Sequence, residues 1–172
     1  MIDWNKFEND LASYFTRHQA KSEKDMANHI ADLYDRYVRF GKEQYGNSIL
    51  TSKKDIMAKF IYLGLLGARN KQETDKTSQR ISQGVLLYWI GVKMQMVVPP
   101  PGSIQSISNV ITFPGLPLNI RISNTVNKTL LAKNLILGFK THIQTVTGVN
   151  TGLVPVPGGG TVPTPFPWVG IK

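Results

Sequence analysis

Residues 147–172 run TGVNTGLVPVPGGGTVPTPFPWVGIK, a segment rich in glycine and proline. No helical period runs through it. Gly158-Gly159-Gly160 and Pro163-Thr164-Pro165-Phe166-Pro167-Trp168 punctuate it, and no charge appears before Lys172. Proline-rich chain favours the polyproline II helix at about 3.1 Å per residue, so residues 149–172 are predicted to form an extended arm of roughly 60–75 Å. A pure linker avoids large apolar groups, yet this segment ends in Phe166, Trp168, Val169 and Ile171. Apolar anchors on a stiff chain suit a partner's groove. The predicted partner-binding residues are therefore Pro163, Pro165, Phe166, Pro167, Trp168 and Ile171. The competing reading is a tail folded back over the helical part of the chain.

Upstream of the arm, Leu131, Leu135, Gly138, His142 and Val146 recur at helical spacing, and Asn127 stands where a cap belongs. A helix over 128–146 is predicted. Before it, Ile104, Ile107, Val110, Ile111 and Phe113 are β-branched or aromatic among Ser and Asn. Pro114-Gly115-Leu116-Pro117 reads as a turn, and Leu118, Ile120 and Ile122 alternate with polar residues as a short strand. The first 98 residues carry four amphipathic stripes: Trp4–Phe15, Met26–Phe40 after a Ser22 cap, Ile56–Leu66, and Ile81–Val92. The second of these helices is predicted to run to about Tyr45. Glycines inside the third and fourth predict close approach of neighbouring backbones.

The expected fold is therefore mainly α. A compact body of about four helices (1–98) is followed by a short β/extended segment with a fifth helix (99–148) and a Pro/Gly-rich C-terminal arm (149–172).

Charge divides along the same line. The 172 residues hold 20 Lys+Arg and 11 Asp+Glu, and every acid lies between Asp3 and Asp75. Residues 1–75 are +1, and residues 76–172 carry eight basic residues with no acid, giving +8. Lys93, Arg121, Lys128, Lys133 and Lys140 form the candidate basic contact surface. They are sparse and lack the aromatic interleaving of a single-strand binder, so an acidic protein neighbour is favoured over nucleic acid.

Catalytic signals are weak. The absence of Cys excludes disulfide scaffolds, Cys-ligated zinc and thiol chemistry. No P-loop, HExxH, GxSxG or dinucleotide fingerprint occurs. Asp25, His29 and Asp32 share one helix face and offer a possible metal set, although a solvated face with Asp32 and Asp35 pairing Arg36 and Arg39 explains them more simply. His142 reads as a packing residue. Neither a signal peptide nor a membrane span is expected, since the longest apolar run is Val85–Val92. No enzyme activity, cofactor or metal is predicted.

Residues 82–172 resemble virion structural proteins of tailed bacteriophages. The likeness rests on Ser82-Gln83-Gly84-Val85-Leu86-Leu87-Tyr88-Trp89, the Phe113-Pro114-Gly115 turn, His142-Ile143-Gln144-Thr145-Val146-Thr147-Gly148 and the terminal Pro163–Trp168 run. The resemblance implies a multicopy, oligomeric structural protein of a tail, baseplate or neck, assembled in the host cytoplasm and located in the virion. Its partners would be other virion proteins and copies of itself, without a membrane. The alternative is a basic DNA-associated head or portal-proximal protein.

Overall fold

The computed structural model describes residues 1–17, 20–69, 74–117, 120 and 127–172. Among the described residues five helices form: α1 (Trp4–Thr16), α2 (Glu23–Arg39), α3 (Lys54–Arg69), α4 (Thr74–Trp89) and α5 (Lys128–Ile143). Five strands accompany them: β1 (Ile49–Thr51), β2 (Lys93–Met94), β3 (Gln105–Phe113), β4 (Thr147–Pro155) and β5 (Thr161–Val169). All pair antiparallel in the order β1-β2-β3-β4-β5. A five-stranded antiparallel sheet accompanies the helices, so the fold is mixed α/β, and the mainly-α expectation is corrected.

Local chemistry starts the helices. The side chains of Asp3, Ser22 and Asn127 accept from the backbone N–H groups of Lys6, Asp25 and Leu130 at 2.9, 3.1 and 3.1 Å, each satisfying one orphan donor. α3 and α4 cross closely at Gly84, where an added Cβ would stand 3.0 Å from the Met57 carbonyl. That is the backbone approach the helix glycines predicted.

α2 ends at Arg39 and not near Tyr45. Residues 41–47 instead turn away and receive the end of the chain. The backbones of Lys42 and Lys172 exchange two hydrogen bonds of 2.8 and 2.9 Å. The buried Glu43 carboxylate organises the bend by accepting from Tyr45 N–H (2.6 Å), Asn47 N–H (3.1 Å) and Asn47 Nδ2 (2.8 Å).

The predicted C-terminal arm is a β-hairpin, and this is the principal correction. β4 and β5 pair in continuous register from Thr147↔Val169 to Pro155↔Thr161. Three successive glycines close the turn at φ +96°, +85° and +116°, values that L side chains rarely adopt. Val156 N–H reaches Gly160 O at 3.2 Å. Trp168 and Ile171 are buried in the same hydrophobic core as Phe7, Leu11, Tyr34, Trp89 and Phe139. Collapse onto that core outweighs the polyproline II preference of an isolated Pro-rich chain. The strand predicted over Leu118–Ile122 lies outside the described residues, except for buried Ile120.

A polar cluster ties α2 to α4 and to the segment entering α3. Asp35 accepts from Arg39 Nε (2.8 Å), from the Tyr88 hydroxyl (2.8 Å) and from the Ser52 hydroxyl. Arg39 also donates to Leu50 O and Ser52 Oγ, both at 3.0 Å. Burial alone would raise the Asp35 pKa. The hydrogen bonds from Arg39, Ser52 and Tyr88 outweigh it and hold the carboxyl below the usual range.

Candidate interaction surface

The two faces of the sheet differ in what they touch. The inner face carries Ser106, Asn109, Gly148, Asn150, Gly152, Phe166 and Trp168, which the register places side by side. Trp168 is 1% exposed, and its indole N–H donates to Asn109 Oδ1 at 2.9 Å. A Cβ at Gly148 would collide with that indole ring and with the Val110 carbonyl, so only glycine leaves room for the tryptophan. Asn47 and Asn150 both donate to Val98 O, at 2.8 and 3.5 Å.

The outer face presents rows across the strands: Lys93–Val110–Val149–Pro167, Ser108–Thr151–Pro165 and Phe113–Thr147–Val169. Val110, Phe113 and Val169 are 51%, 48% and 59% exposed. β3, β4 and β5 contain no charged residue over their combined length. Lys93 on β2 stands at one end of the central row, and Val169 lines a groove that also holds Lys140 and Lys172.

The β5 edge is chemically asymmetric. Leu153 O accepts from Ile104 N–H at 2.9 Å, and Gly170 N–H donates to Val146 O at 2.7 Å. Odd-numbered β4 residues therefore aim their backbone at β3, and even-numbered ones at β5. By the same alternation, odd-numbered β5 residues direct their backbone groups away from the sheet. Pro163, Pro165 and Pro167 occupy three of those outward positions. Proline has no N–H, so the edge offers carbonyls with few donors and cannot template another strand. The Pro167 carbonyl is capped within the chain by Gln44 Nε2 (3.2 Å) and the Tyr45 hydroxyl (3.0 Å).

The predicted anchor residues thus separate. Pro163, Pro165 and Pro167 are exposed on the edge. Phe166 is half-buried, its ring edge-on to Tyr45 with centroids 6.2 Å apart. Trp168 and Ile171 face the chain's own core and have no surface to offer a groove. Of the basic set, Lys133 and Lys140 are exposed seven residues apart on α5, Lys128 opens that helix, and Lys93 stands apart on β2. Arg121 lies outside the described residues. Between the α5 lysines stands Leu137, 61% exposed, with Leu130 beside them.

The residues weighed for metal or acid–base chemistry are otherwise engaged. His29 stacks on Tyr14 at 3.7 Å. Asp25 accepts from the Tyr14 hydroxyl (3.2 Å) and from Lys21 N–H (3.0 Å). Burial first, then Asp25, pushes the Tyr14 hydroxyl up to about 12. Asp32 pairs with Lys54 at 2.7 Å. Among the described residues no three His, Asp or Glu side chains converge on a possible ion. His142 is buried on α5, and among the described residues neither ring nitrogen has a partner in hydrogen-bond geometry. Burial pushes its imidazole down to about 4, opposed by the nearby Gly115 and Pro114 backbone. A groove of about 470 Å³ beside α1 and α5, lined by Ile2, Trp4 and Ile171, has Lys140 and Lys172 as its titratable side chains.

The sequence marks Val110 and Phe113 as strand residues and Val169 as an apolar anchor, but it does not place them with Val149 on one sheet face. The signal was present in alternation: Thr147, Val149, Thr151 and Leu153 are β-branched or aliphatic at every second position. Among the described residues, no helix is long and apolar enough to cross a membrane. No family model, curated protein or solved structure matches the chain.

Proposed function

We propose that the chain is a non-enzymatic structural subunit of a multi-subunit particle, and that the outer face of the sheet is where it meets a neighbour. The observation that carries this reading is the uncharged outer surface of β3, β4 and β5, on which Val110, Phe113 and Val169 are about half exposed among Ser and Thr. Large exposed apolar patches mark interaction sites on proteins that otherwise keep such groups inside. The resemblance of residues 82–172 to tailed-phage virion proteins makes a virion, with its tail or baseplate, the particle meant. Host cytoplasm is then the place of assembly. The contact is made by a sheet face and not by the extended arm that the sequence predicts. The DNA-associated alternative is disfavoured by the exposed leucines interrupting Lys133 and Lys140, since a phosphate-tracking surface concentrates cations.

The test is composition of purified particles. The chain is expected among the virion proteins by mass spectrometry. Val149→Glu, supplied in place of the natural chain, is expected to keep its far-UV circular dichroism and lose incorporation. Absence of the chain from particles would overturn the reading. Normal incorporation of a folded Val149→Glu variant would remove the sheet face from it.

A further inference from the structure

We infer that the occupant of the outer sheet face is a second copy of this chain, packed sheet on sheet about a two-fold axis parallel to the strands. The inference rests on the assembly reading only for its choice of surface.

Edge-to-edge pairing is closed on the long side, because Pro163, Pro165 and Pro167 remove outward donors from β5. The opposite edge is β1, only three residues long, and its Leu50 carbonyl is taken by Arg39. Association through the sheet must therefore use a face. The inner face is filled by Trp168, Asn109 and Asn150. The outer face remains.

Its size and chemistry fit a copy of itself. Three nine-residue strands give a footprint of roughly 30 by 14 Å. Side chains standing on the pleat, together with Lys93 and the hairpin tip, bring the accessible area toward the ~800 Å² per partner of a standard interface. That places the pair at the weak end of specific dimers. Packed sheets sit about 10 Å apart with strands within about 30° of alignment, and Val, Pro, Thr and Phe side chains interdigitate well at that spacing. Over β3, β4 and β5 the face has no charge to strand against an identical surface.

Charge placement selects the axis. Lys93 stands on the β2 side and the carbonyl-only proline edge on the β5 side. An in-plane axis perpendicular to the strands would lay Lys93 over Lys93, placing like charges together. An axis parallel to the strands lays β2 of each copy over β5 of the other. Register puts Lys93 in the row of Pro167, so each Lys93 ammonium then approaches the proline edge of its partner, where the Pro165 carbonyl, one pair further along, has no donor among the described residues.

The experiment is sedimentation equilibrium of the full chain from about 1 to 200 µM, a range that brackets a micromolar dissociation constant. A monomer–dimer equilibrium is expected. Val110→Glu is expected to leave far-UV circular dichroism unchanged and abolish the dimer, with Val169→Glu as the second variant should the first misfold. Lys93→Gln is expected to weaken the dimer several-fold. A monomer at every concentration overturns the inference, as does a dimer that persists in a folded Val110→Glu or Val169→Glu chain. Unchanged or tighter pairing in Lys93→Gln overturns the strand-parallel axis. A monomeric chain that is nonetheless present in particles sinks this inference and leaves the assembly reading. A dimeric chain absent from particles does the reverse.

Discussion

The two faces of this sheet solve packing differently. The buried face sets Gly148, Asn150, Gly152, Asn109 and Ser106 among Ile49, Met94, Ile111 and Trp168, while the solvent face carries Val110, Val149, Phe113, Pro165 and Val169 among Ser108, Thr147 and Thr151. On the inner side one large side chain, Trp168, fills the space that a row of small residues leaves empty, and amide groups satisfy the buried polar atoms around it. On the outer side ordinary strand apolar residues stay about half exposed. The difference teaches that burial here is decided by fit and hydrogen bonding to one indole, and that the apolar pattern of the outer face points beyond the monomer.

The hardest way to break the comparison is to empty the inner face. Trp168→Ala is expected to cost about 3–5 kcal/mol, the usual range for deleting a buried tryptophan, and it also strands the Asn109 acceptor. Urea denaturation followed by circular dichroism would read it. Deleting residues 149–172 removes β5 and most of β4 and is expected to abolish cooperative folding altogether. A truncated chain that unfolded with the midpoint of the full chain would restore the free-arm picture.

A comparable effect is expected from pH. His142 has an ordinary pKa near 6.5 when unfolded and about 4 when folded. The unfolded chain therefore takes up the proton more readily. The contribution of this group is fully present above about pH 6.5 and is lost as pH falls through about 4, amounting to ~3 kcal/mol over that window. His142→Gln is expected to flatten stability between pH 6.5 and 4. His29, whose pKa burial also lowers, adds a contribution of the same sign. An unchanged slope in the variant would show that His142 does not titrate on unfolding.

Neighbouring residues give the sharpest contrast between the faces. Gly148→Ala pushes a methyl group into the Trp168 ring and is expected to cost about 1–3 kcal/mol, as overpacking does. Val149→Thr, one residue along and on the other face, is expected to change monomer stability by less than about 0.5 kcal/mol. Equal losses from the two would mean that the outer face is not free.

How much of this was legible in the sequence follows from the same residues. The helices were, because Phe7, Leu11, Ile30, Leu33, Val85 and Trp89 repeat at helical spacing, and Ser22 and Asn127 mark starts. The β-branched character of Ile107, Val110 and Ile111 was legible as well. The hairpin was not. Its inward positions Gly148 and Gly152 hold no apolar group, so half of the period-2 signal is missing. Its second strand has proline at 163, 165 and 167, which depresses strand propensity everywhere except on an edge. Proline's φ near −65° suits polyproline II and an edge strand alike, and only the register with β4 decides between them. Trp168 was visible as an anchor; that its partner is Asn109 of the same chain depends on a pairing across 59 residues.

The smallest expected change in stability tests the edge itself. Pro163→Thr with Pro165→Thr keeps β-compatible side chains at exposed positions, so monomer stability is expected to move by no more than about 1 kcal/mol. Losing proline's restriction of the unfolded chain opposes the better strand propensity of threonine. What the double variant restores is a row of outward N–H groups beside the existing carbonyls, which is what an incoming strand needs. Higher-order association, read by light scattering at high concentration, is therefore expected to rise in this variant while thermal unfolding barely shifts. If association stays at the level of the natural chain, the prolines are not what keeps the edge closed, and the capping of the Pro167 carbonyl by Gln44 and Tyr45 would have to carry that role. The edge would then be guarded at one end by side chains from the bend after α2 and not along its length by the missing donors.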